Sequence, residues 1–338
     1  MNPYLRIARR TRYVVLIAFL GALVCCLGCT TEPKQPLRIG MNPWPTYEFF
    51  SLAQEKGFFK DAGVDVRLIE FSSLSDARRA FERGQLDVFC TTIIEVLQAR
   101  AFSKRSPQIV KVIDYSHGAD VILTKSQLKS ADALRGARVG VELASLGIFV
   151  LTRGLQSFGL SLTDIHATNM DQLSMEEALR AGEIDAMVTY PPTSVRLQRD
   201  NSVNTIFSSA QIPGEVIDVI AIDKLLHQER SNEVRLLLQS FDRALEYAKD
   251  HPDESYKIMA QHEGIEPDEF AKAINDGIVL VPAAEQKSYL GANGKLSSII
   301  NAADRILRDT NQISGPDYRN DIINTSYIEI ASGLAHAK

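Results

Sequence analysis

A pattern of three apolar runs, separated by two stretches with helical spacing, occurs twice in this sequence. The first copy runs through LRIGM (37–41), GVDVRLIEF (63–71) and RGQLDVF (83–89), and the second through ARVGV (137–141), FGLSLTDIHAT (158–168) and AGEIDAMV (181–188). Gly40 and Asp87 are 47 residues apart in the first copy, and Gly140 and Asp185 are 45 apart in the second. Each copy therefore predicts a β-α-β-α-β unit, in which a glycine three residues before the aspartate ends the second helix.

Apolar strands that alternate with amphipathic helices indicate parallel sheets covered on both faces. Further strand-like runs lie between and after the two copies, at 109–115, 120–124 and 215–222, and the remainder is mostly helical, at 232–249, 252–262, 267–275 and 296–309. The sequence thus predicts an α/β fold with two lobes around a cleft, joined by two crossover strands. We place lobe 1 at 37–122 and 219–338, and lobe 2 at 123–218. The alternative is one large doubly wound sheet.

The first 28 residues have the pattern of a secretory signal. Four arginines precede an apolar run of 16 residues, 13–28, which is shorter than the roughly 20 that a membrane-spanning helix needs. The run ends in Cys26-Leu27-Gly28-Cys29, which resembles a bacterial lipobox except that Cys26 stands where leucine is usual. We therefore predict a signal peptide over 1–28, lipid attachment at Cys29 and a polar tether over 29–36. This places the protein in the periplasm or on the outer face of the cell membrane.

Charge and cysteine content argue against a nucleic-acid-binding protein and against a fold held by disulfides. The chain carries a net charge of −5, which becomes about −9 if residues 1–28 are removed, and no run of basic residues follows them. Nucleic-acid binding depends on clustered Lys and Arg, so it is not expected. Beyond Cys29 only Cys90 remains, so no internal disulfide can form, and Cys90 is expected to be a buried, unreactive thiol.

Four stretches in this order resemble a known family: IGMNPWPTYEFFSLAQEKGFF, RGQLDVFCTTIIEVL, GVELASLGIFVLTRGLQSFGL and AGEIDAMVTYPP. They are similar to the taurine/nitrate/sulfonate and thiamine-precursor (hydroxymethylpyrimidine) binding proteins of bacterial ABC importers, over roughly residues 37–225. The resemblance implies a type II periplasmic-binding-protein fold, a monomeric receptor for a small molecule, and a partner permease with a separate ATPase subunit. It implies no cofactor.

In open α/β sheets, ligands collect beyond the carboxyl ends of the strands. The loop after the first strand contains Trp44, the only tryptophan, between Pro43 and Pro45. The prolines hold this segment extended, so we expect a rigid, exposed indole that stacks on a planar or cationic ligand, or else caps the sheet edge. Tyr47 and Glu48 fall in the first turn of the next helix and are further candidates. Glu48 also suits the helix dipole alone.

Three more candidates belong to lobe 1 and the crossover strands. Thr91 follows the third strand as a cleft hydroxyl, and Asp114 ends a strand that leads to the crossover. Asp218 is an acid between Ile217 and Val219 in the return strand, a pattern that is unusual unless the side chain faces the cleft.

Lobe 2 contributes Glu142, Ser145 and Tyr190 as candidates. Ser145 is predicted to be the N-cap of a helix over 146–158, which leaves free N–H groups facing the cleft, and the resemblance implies a ligand contact in this segment. A capping role alone has equal weight. Tyr190 precedes two prolines, at a position where the resemblance implies an aromatic residue.

Two other acidic patterns favour structural interpretations. Thr92 and Glu95 have the spacing of a capping box, which is the expected role of Glu95. Asp114, His117 and Asp120 share one loop, but two carboxyls and one histidine are weak grounds for a metal site, and none is predicted.

The charge of the candidate site favours a class of ligand. Glu48, Asp114, Glu142 and Asp218 are acidic, and none of their loops contains Lys or Arg. Such a site suits a neutral or cationic ring or amine, such as an aminopyrimidine of the thiamine-precursor type. The alternatives are a sulfonate or nitrate receptor, which would use helix N-termini, and a ligand sensor that docks on a membrane signalling receptor.

An enzymatic role is not expected. A thiamine-precursor synthase shares the implied fold, but its cysteine-rich motif has no counterpart after residue 29. The sequence also lacks the G-x-S-x-G and H-E-x-x-H motifs and a P-loop. We therefore predict a binding protein with no catalytic residues and no cofactor.

Overall fold

The computed structural model describes residues 34–199 and 202–328. All of the described strands and helices lie within one compact unit that begins at Leu37. The predicted signal peptide and Cys29 lie outside the described residues. Within the described part of the chain, no helix is both long enough and apolar enough to cross a membrane.

The described residues form eleven strands: β1 (Leu37–Met41), β2 (Val66–Glu70), β3 (Val88–Thr92), β4 (Pro107–Ser116), β5 (Val121–Lys125), β6 (Arg138–Val141), β7 (His166–Asn169), β8 (Ala186–Thr189), β9 (Val203–Ser208), β10 (Ile217–Asp223) and β11 (Ile278–Leu280). They also form twelve α-helices: α1 (Glu48–Glu55), α2 (Phe58–Ala62), α3 (Leu74–Glu82), α4 (Ile93–Phe102), α5 (Leu146–Ser157), α6 (Gln172–Ala181), α7 (Thr193–Gln198), α8 (Lys224–Asp250), α9 (Pro252–Glu263), α10 (Pro267–Gly277), α11 (Gln286–Leu290) and α12 (Lys295–Asp309).

The strands form two separate sheets, so the prediction of two α/β lobes is confirmed and the single-sheet alternative is wrong. In lobe 1 the strand order is β11-β4-β10-β3-β1-β2, and in lobe 2 it is β7-β6-β8-β5-β9. The three strands of each repeat copy are parallel, whereas the strands β4, β10 and β11 of lobe 1, and β5 and β9 of lobe 2, pair antiparallel.

Both repeat copies have the predicted order of elements. The first is β1, α1 and α2, β2, α3, β3, and the second is β6, α5, β7, α6, β8. The first helical stretch of copy one is divided because Gly57 adopts a left-handed φ of 72° between α1 and α2. Gly84 and Gly182, with φ of 75° and 81°, follow α3 and α6 as predicted.

The same side-chain clamp holds each copy together at the amino ends of its strands. The backbone N, Nε and Nη2 of Arg38 donate to Asp87, and the same three atoms of Arg138 donate to Asp185. Gly40 is required beside the first clamp, because a Cβ there would lie 2.3 Å from Cδ1 of the buried Leu86.

The chain passes between the lobes twice, between β4 and β5 and again between β9 and β10. The two crossing segments are tied together where Ser116 Oγ and Ser209 Oγ lie 2.7 Å apart. The backbone N of Gly118 also donates to Ser209 Oγ, at 2.7 Å. The carboxyl ends of the parallel strands in both lobes lead to loops beside this junction, which sets the position of the cleft.

Candidate ligand-binding site

A narrow cavity, with only about 10 Å³ of space for the centre of a water molecule, lies between the two lobes at the carboxyl ends of the strands. Its described lining residues come from lobe 1, from the crossing segment and from lobe 2: Asn42, Trp44, Tyr47, Leu74, Thr92, Asp120, Leu146, Tyr190 and Asp218. None of these nine is Lys or Arg. Four of the sequence candidates are among them, namely Trp44, Tyr47, Tyr190 and Asp218.

Trp44 contacts residues of both lobes. Its Nε1 donates to Asp114 Oδ2 at 3.3 Å, and its ring meets Tyr190 of lobe 2 edge to face, with centroids 6.0 Å apart. The expectation of an exposed indole is wrong, because Trp44 is 4% exposed. The ring packs in the hydrophobic cluster that contains residues of β1 and β3, together with Tyr190 of lobe 2.

Asp218 lines the cavity, and Asp114 lies next to it and binds the lining residue Trp44. They are directly opposite each other in the antiparallel pair β4 and β10, and both are buried. Thr46 Oγ1 donates to Asp114 Oδ2 at 2.5 Å, and the Tyr47 hydroxyl donates to Asp218 Oδ1. Burial raises the pKa of Asp114 to about 7, and burial together with the charge of Asp114 raises the pKa of Asp218 well above its ordinary value.

Asp120 is an acid that the sequence analysis considered only as a weak metal ligand. It lines the cavity just before β5, and its Oδ2 has no hydrogen-bond partner. Burial raises its pKa to about 7. Its place in the sequence, directly before a buried strand in the crossing segment, could have indicated that Asp120 lines the cavity. Among the described residues, no group of three His, Cys, Asp or Glu side chains is arranged to hold a metal ion.

Lobe 2 adds an aromatic ring and one more buried acid. Tyr190 lines the cavity, and its buried hydroxyl has no hydrogen-bond partner. Glu142 is close enough for its charge to raise the pKa of Tyr190, after the larger effect of burial. Gln172 Nε2 donates to Glu142 Oε2 at 3.3 Å, while Oε1 is unpartnered. Burial raises the pKa of Glu142 to about 7.

Ser145 is at the N-cap of α5, as predicted, but its side chain makes no hydrogen bond to that helix. It donates instead to Glu95 of lobe 1, with 2.8 Å between Ser145 Oγ and Glu95 Oε1. Glu95 was expected to act only within its own helix. It does accept from Thr92 Oγ1 at 2.5 Å, but it also binds across the cleft, which sequence spacing cannot show.

Five sequence candidates do not line the cavity: Asp114, Glu142 and Ser145, described above, and also Glu48 and Thr91. Glu48 lies in the first turn of α1, where its Oε2 is 3.8 Å from Nδ1 of His262. Its burial raises its pKa to about 7. Thr91 is buried one position along β3 from Thr92, which does line the cavity. Successive strand residues point to opposite faces, so Thr92 occupies the position proposed for Thr91. Asn42 and Thr92 were not predicted to line the site.

A larger groove of about 320 Å³, open to solvent, lies beside α7, α10 and the first crossing segment. It is spanned by the ion pair between Arg199 and Glu269, with Nη2 and Oε2 2.5 Å apart. Its described lining contains no aromatic ring. The buried aromatic and carboxyl groups converge on the smaller cavity, which is therefore the candidate site.

A family model described as NMT1/THI5 like matches residues 44–255, which is more than half of the chain. The chain belongs to the NMT1/THI5-like family. The resemblance found in the sequence is thereby confirmed, and the matched span includes both crossing segments and all of the residues that line the cavity except Asn42.

Relatives of this NMT1/THI5-like chain have diverse names. A Haemophilus influenzae protein named for thiamine biosynthesis is 23% identical over 267 residues, covering 76% of this chain and 82% of that protein. A 4-amino-5-hydroxymethyl-2-methylpyrimidine phosphate synthase of Saccharomyces cerevisiae is 20% identical, covering 65% of this chain and 68% of the synthase.

Among solved structures, the alkanesulfonate-binding protein SsuA of Xanthomonas axonopodis pv. citri, bound to MOPS, is similar with a TM-score of 0.75. It is 18% identical, and the match covers 88% of this chain and 100% of SsuA. A likeness at this identity establishes the fold, which is that of the periplasmic binding proteins.

Proposed function

We propose that this protein is an extracytoplasmic solute-binding receptor that captures a small neutral or cationic molecule carrying an amino group and delivers it to an ABC permease. The observation that carries the proposal is the composition of the cavity wall: buried aromatic rings from both lobes and the carboxyl groups of Asp120 and Asp218, without Lys or Arg among the described lining residues. An aminopyrimidine of the thiamine-precursor class has the matching chemistry.

The groups at the cavity divide into two roles. Trp44, Tyr47 and Tyr190 offer ring faces and edges to a planar or cationic ligand. Asp114, Asp120 and Asp218 are acceptors for amino hydrogens when they are ionised. Buried carboxyls without a cation stay partly protonated at neutral pH, so a ligand with amino groups would supply the donors that these oxygens lack.

The two lobes are closed around the cavity, so they must move apart before a ligand can enter. Trp44 and Tyr190 are almost fully buried against each other, so a ligand reaches the cavity only when the lobes separate. A ligand that contacts both lobes then favours the closed form. The sequence contains no nucleotide-binding P-loop, so transport energy would come from a separate ATPase subunit.

Location and role are supported by the sequence before residue 37 and by the relatives. A signal peptide over 1–28 and a lipid on Cys29 would tether the receptor outside the cytoplasm. The Haemophilus influenzae relative is named for thiamine biosynthesis, and SsuA is named as a binding protein. The synthase relative offers an enzymatic alternative, but no constellation among the described cavity side chains suggests catalysis.

A ligand panel tests the proposal. Thermal unfolding of the purified protein is followed with aminopyrimidines, thiamine, quaternary amines, polyamines, alkanesulfonates and nitrate. A ligand at 100 times its Kd stabilises the folded state by about 2.7 kcal/mol. We expect amine-bearing compounds to raise Tm and anions to have no effect. If only the anions raise Tm, the proposed ligand class is wrong.

A further inference from the structure

Glu95 is a fully buried residue of α4 in lobe 1, and its carboxyl group accepts hydrogen bonds from both lobes. Thr92 Oγ1 donates to Oε2 at 2.5 Å within lobe 1. Ser145 Oγ and the backbone N of Leu146, both in lobe 2, each donate to Oε1 at 2.8 Å. Three donors converge on its two oxygens, which is the arrangement that an ionised carboxylate accepts.

The lobe 2 donors are the start of helix α5, which has no cap of its own. Ser145 makes no hydrogen bond to the backbone of α5, and the first turn of the helix contains no acidic residue. Helix N-termini present free N–H groups and a positive dipole end, and they attract anions. In this protein the anion at that position is Glu95 of the opposite lobe.

This contact is part of the cavity wall. Thr92 and Leu146, which both donate to Glu95, also line the cavity. The negative charge of Glu95 contributes to the raised pKa of Asp120, of Glu142 and of Asp218, after the larger effect of burial in each case. The ligand site therefore lies within the electrostatic field of Glu95.

We propose that Glu95 is a specificity-determining residue: a tethered carboxylate that occupies the N-terminus of α5 in the closed form and so excludes anionic ligands from the cleft. The inference rests on the proposed function, since it explains why this cleft takes a neutral or cationic molecule. A free anion can bind α5 only by displacing Glu95, which would then be buried without its donors. A ligand with amino groups does not compete for those donors.

The proposal is tested with methanesulfonate and nitrate as probes on the purified protein. Glu95→Ala removes the tethered anion and leaves the N-terminus of α5 free, whereas Glu95→Gln keeps the shape and the acceptor oxygen without the charge. We expect Glu95→Ala to bind methanesulfonate at least about tenfold more tightly than the unsubstituted protein, and Glu95→Gln to show a smaller gain.

Acrylamide quenching of Trp44 gives a second measurement that needs no ligand. Glu95 is one of the contacts between the lobes, beside the Arg199–Glu269 ion pair, so its loss should increase quenching of the indole that is otherwise buried against Tyr190. Asp171→Ala is the matched control. Asp171 caps α6 of lobe 2 by accepting from the backbone N of Ser174 at 2.8 Å, and it makes no contact across the cleft in the described structure.

The outcomes separate this inference from a simple capping role and from the proposed function. If Glu95→Ala lowers thermal stability as Asp171→Ala does, with no gain in anion affinity or Trp44 quenching, Glu95 is only a helix cap and the inference is wrong. Glu95→Gln decides the same question if Glu95→Ala does not fold, because its anion affinity must then exceed that of the unsubstituted protein. Failure of amine-bearing compounds to bind the unsubstituted protein would instead reject the proposed function.

Discussion

The indole of Trp44 and the phenol ring of Tyr190 meet edge to face across the cleft, with an angle of 74° between their planes. One ring belongs to each lobe, and each follows a strand and is stiffened by neighbouring prolines. Their contact therefore reports directly on whether the lobes are closed. Because Trp44 is the only tryptophan in the chain, its fluorescence isolates this contact from the rest of the molecule.

Replacing Trp44 should weaken ligand binding. Trp44→Ala removes the ring, and we expect an affinity for an amine-bearing ligand about tenfold lower, equivalent to about 1.4 kcal/mol. Trp44→Phe keeps a ring but loses the donor to Asp114, so its loss should be smaller. Calorimetry measures both, with Tyr318→Phe, remote from the cavity, as the control. Binding to the unsubstituted protein that leaves Trp44 emission unchanged would show that the ligand does not contact this ring.

Stability without ligand should fall as pH rises from about 4 to about 7. Burial raises the pKa of Asp114, Asp120 and Glu142 to about 7, whereas each is near 4 in the unfolded chain. The folded state then binds more protons between about pH 4 and 7, and the free energy of unfolding decreases by up to about 1.4 kcal/mol per pH unit for each such proton. Below about pH 4 these acids are protonated in both the folded and the unfolded states, so the loss of stability that they cause at higher pH is absent.

Urea unfolding at about pH 5 and about pH 8 measures this dependence. Asp120→Asn replaces one acid with a neutral group, so it should reduce the difference between the two pH values. Asp309 is exposed, so Asp309→Asn serves as the control and should leave the difference between the two pH values unchanged. Equal stability of the unsubstituted protein at both pH values would contradict the prediction.

Binding of an amine-bearing cation should release protons. The cation favours ionised carboxylates, so it lowers the raised pKa of Asp114 and Asp120 and displaces the protons they hold near neutral pH. Affinity should then increase from about pH 6 to about pH 8, by up to tenfold per pH unit for each proton released. Calorimetry in buffers with different ionisation enthalpies counts these protons. Proton uptake, or affinity that falls with rising pH, would be inconsistent with an acidic binding site.

The repeated clamp should contribute to stability more than a similar pair on the surface. Asp87→Asn weakens three hydrogen bonds from Arg38, and we expect a loss of about 1–3 kcal/mol in urea unfolding. Asp185→Asn should cost less because Arg138 is more exposed than Arg38. Asp317 accepts the same three donors from Arg319, but both lie exposed two residues apart. Asp317→Asn should therefore change stability little, and equal losses at Asp87 and Asp317 would refute the role of the clamp.

Most of the fold follows from patterns that are local in sequence. Strand and helix periods, with the glycines after α3 and α6, predicted both β-α-β-α-β units. The predicted helix start at residue 232 instead falls within α8 (Lys224–Asp250), which has a non-helical φ at Arg230. Strands β9 and β11 were missed. Strand β11 has only three residues and is held by pairing with β4, which the sequence does not show.

The candidate site was predictable only in part. The order of strands indicates which loops meet, and this was enough to predict Trp44, Tyr47, Tyr190 and Asp218. Side-chain direction decides the remainder: β3 turns Thr92 rather than Thr91 towards the cavity. The bond between Glu95 and Ser145 depends on how the lobes approach each other, and no spacing within one segment encodes that geometry.

The position of the two clamps has a consequence for how this architecture diversifies. Arg38–Asp87 and Arg138–Asp185 brace the amino ends of the strands, whereas the residues around the cavity follow the carboxyl ends. The clamps and the loops around the cavity are thus at opposite edges of each sheet. Substitutions in the loops around the cavity leave the clamps unchanged. One fold can therefore change the class of ligand that it binds with little loss of stability. If the proposed binding function is correct, a designer who wished to change the ligand would keep the clamps and change the loops.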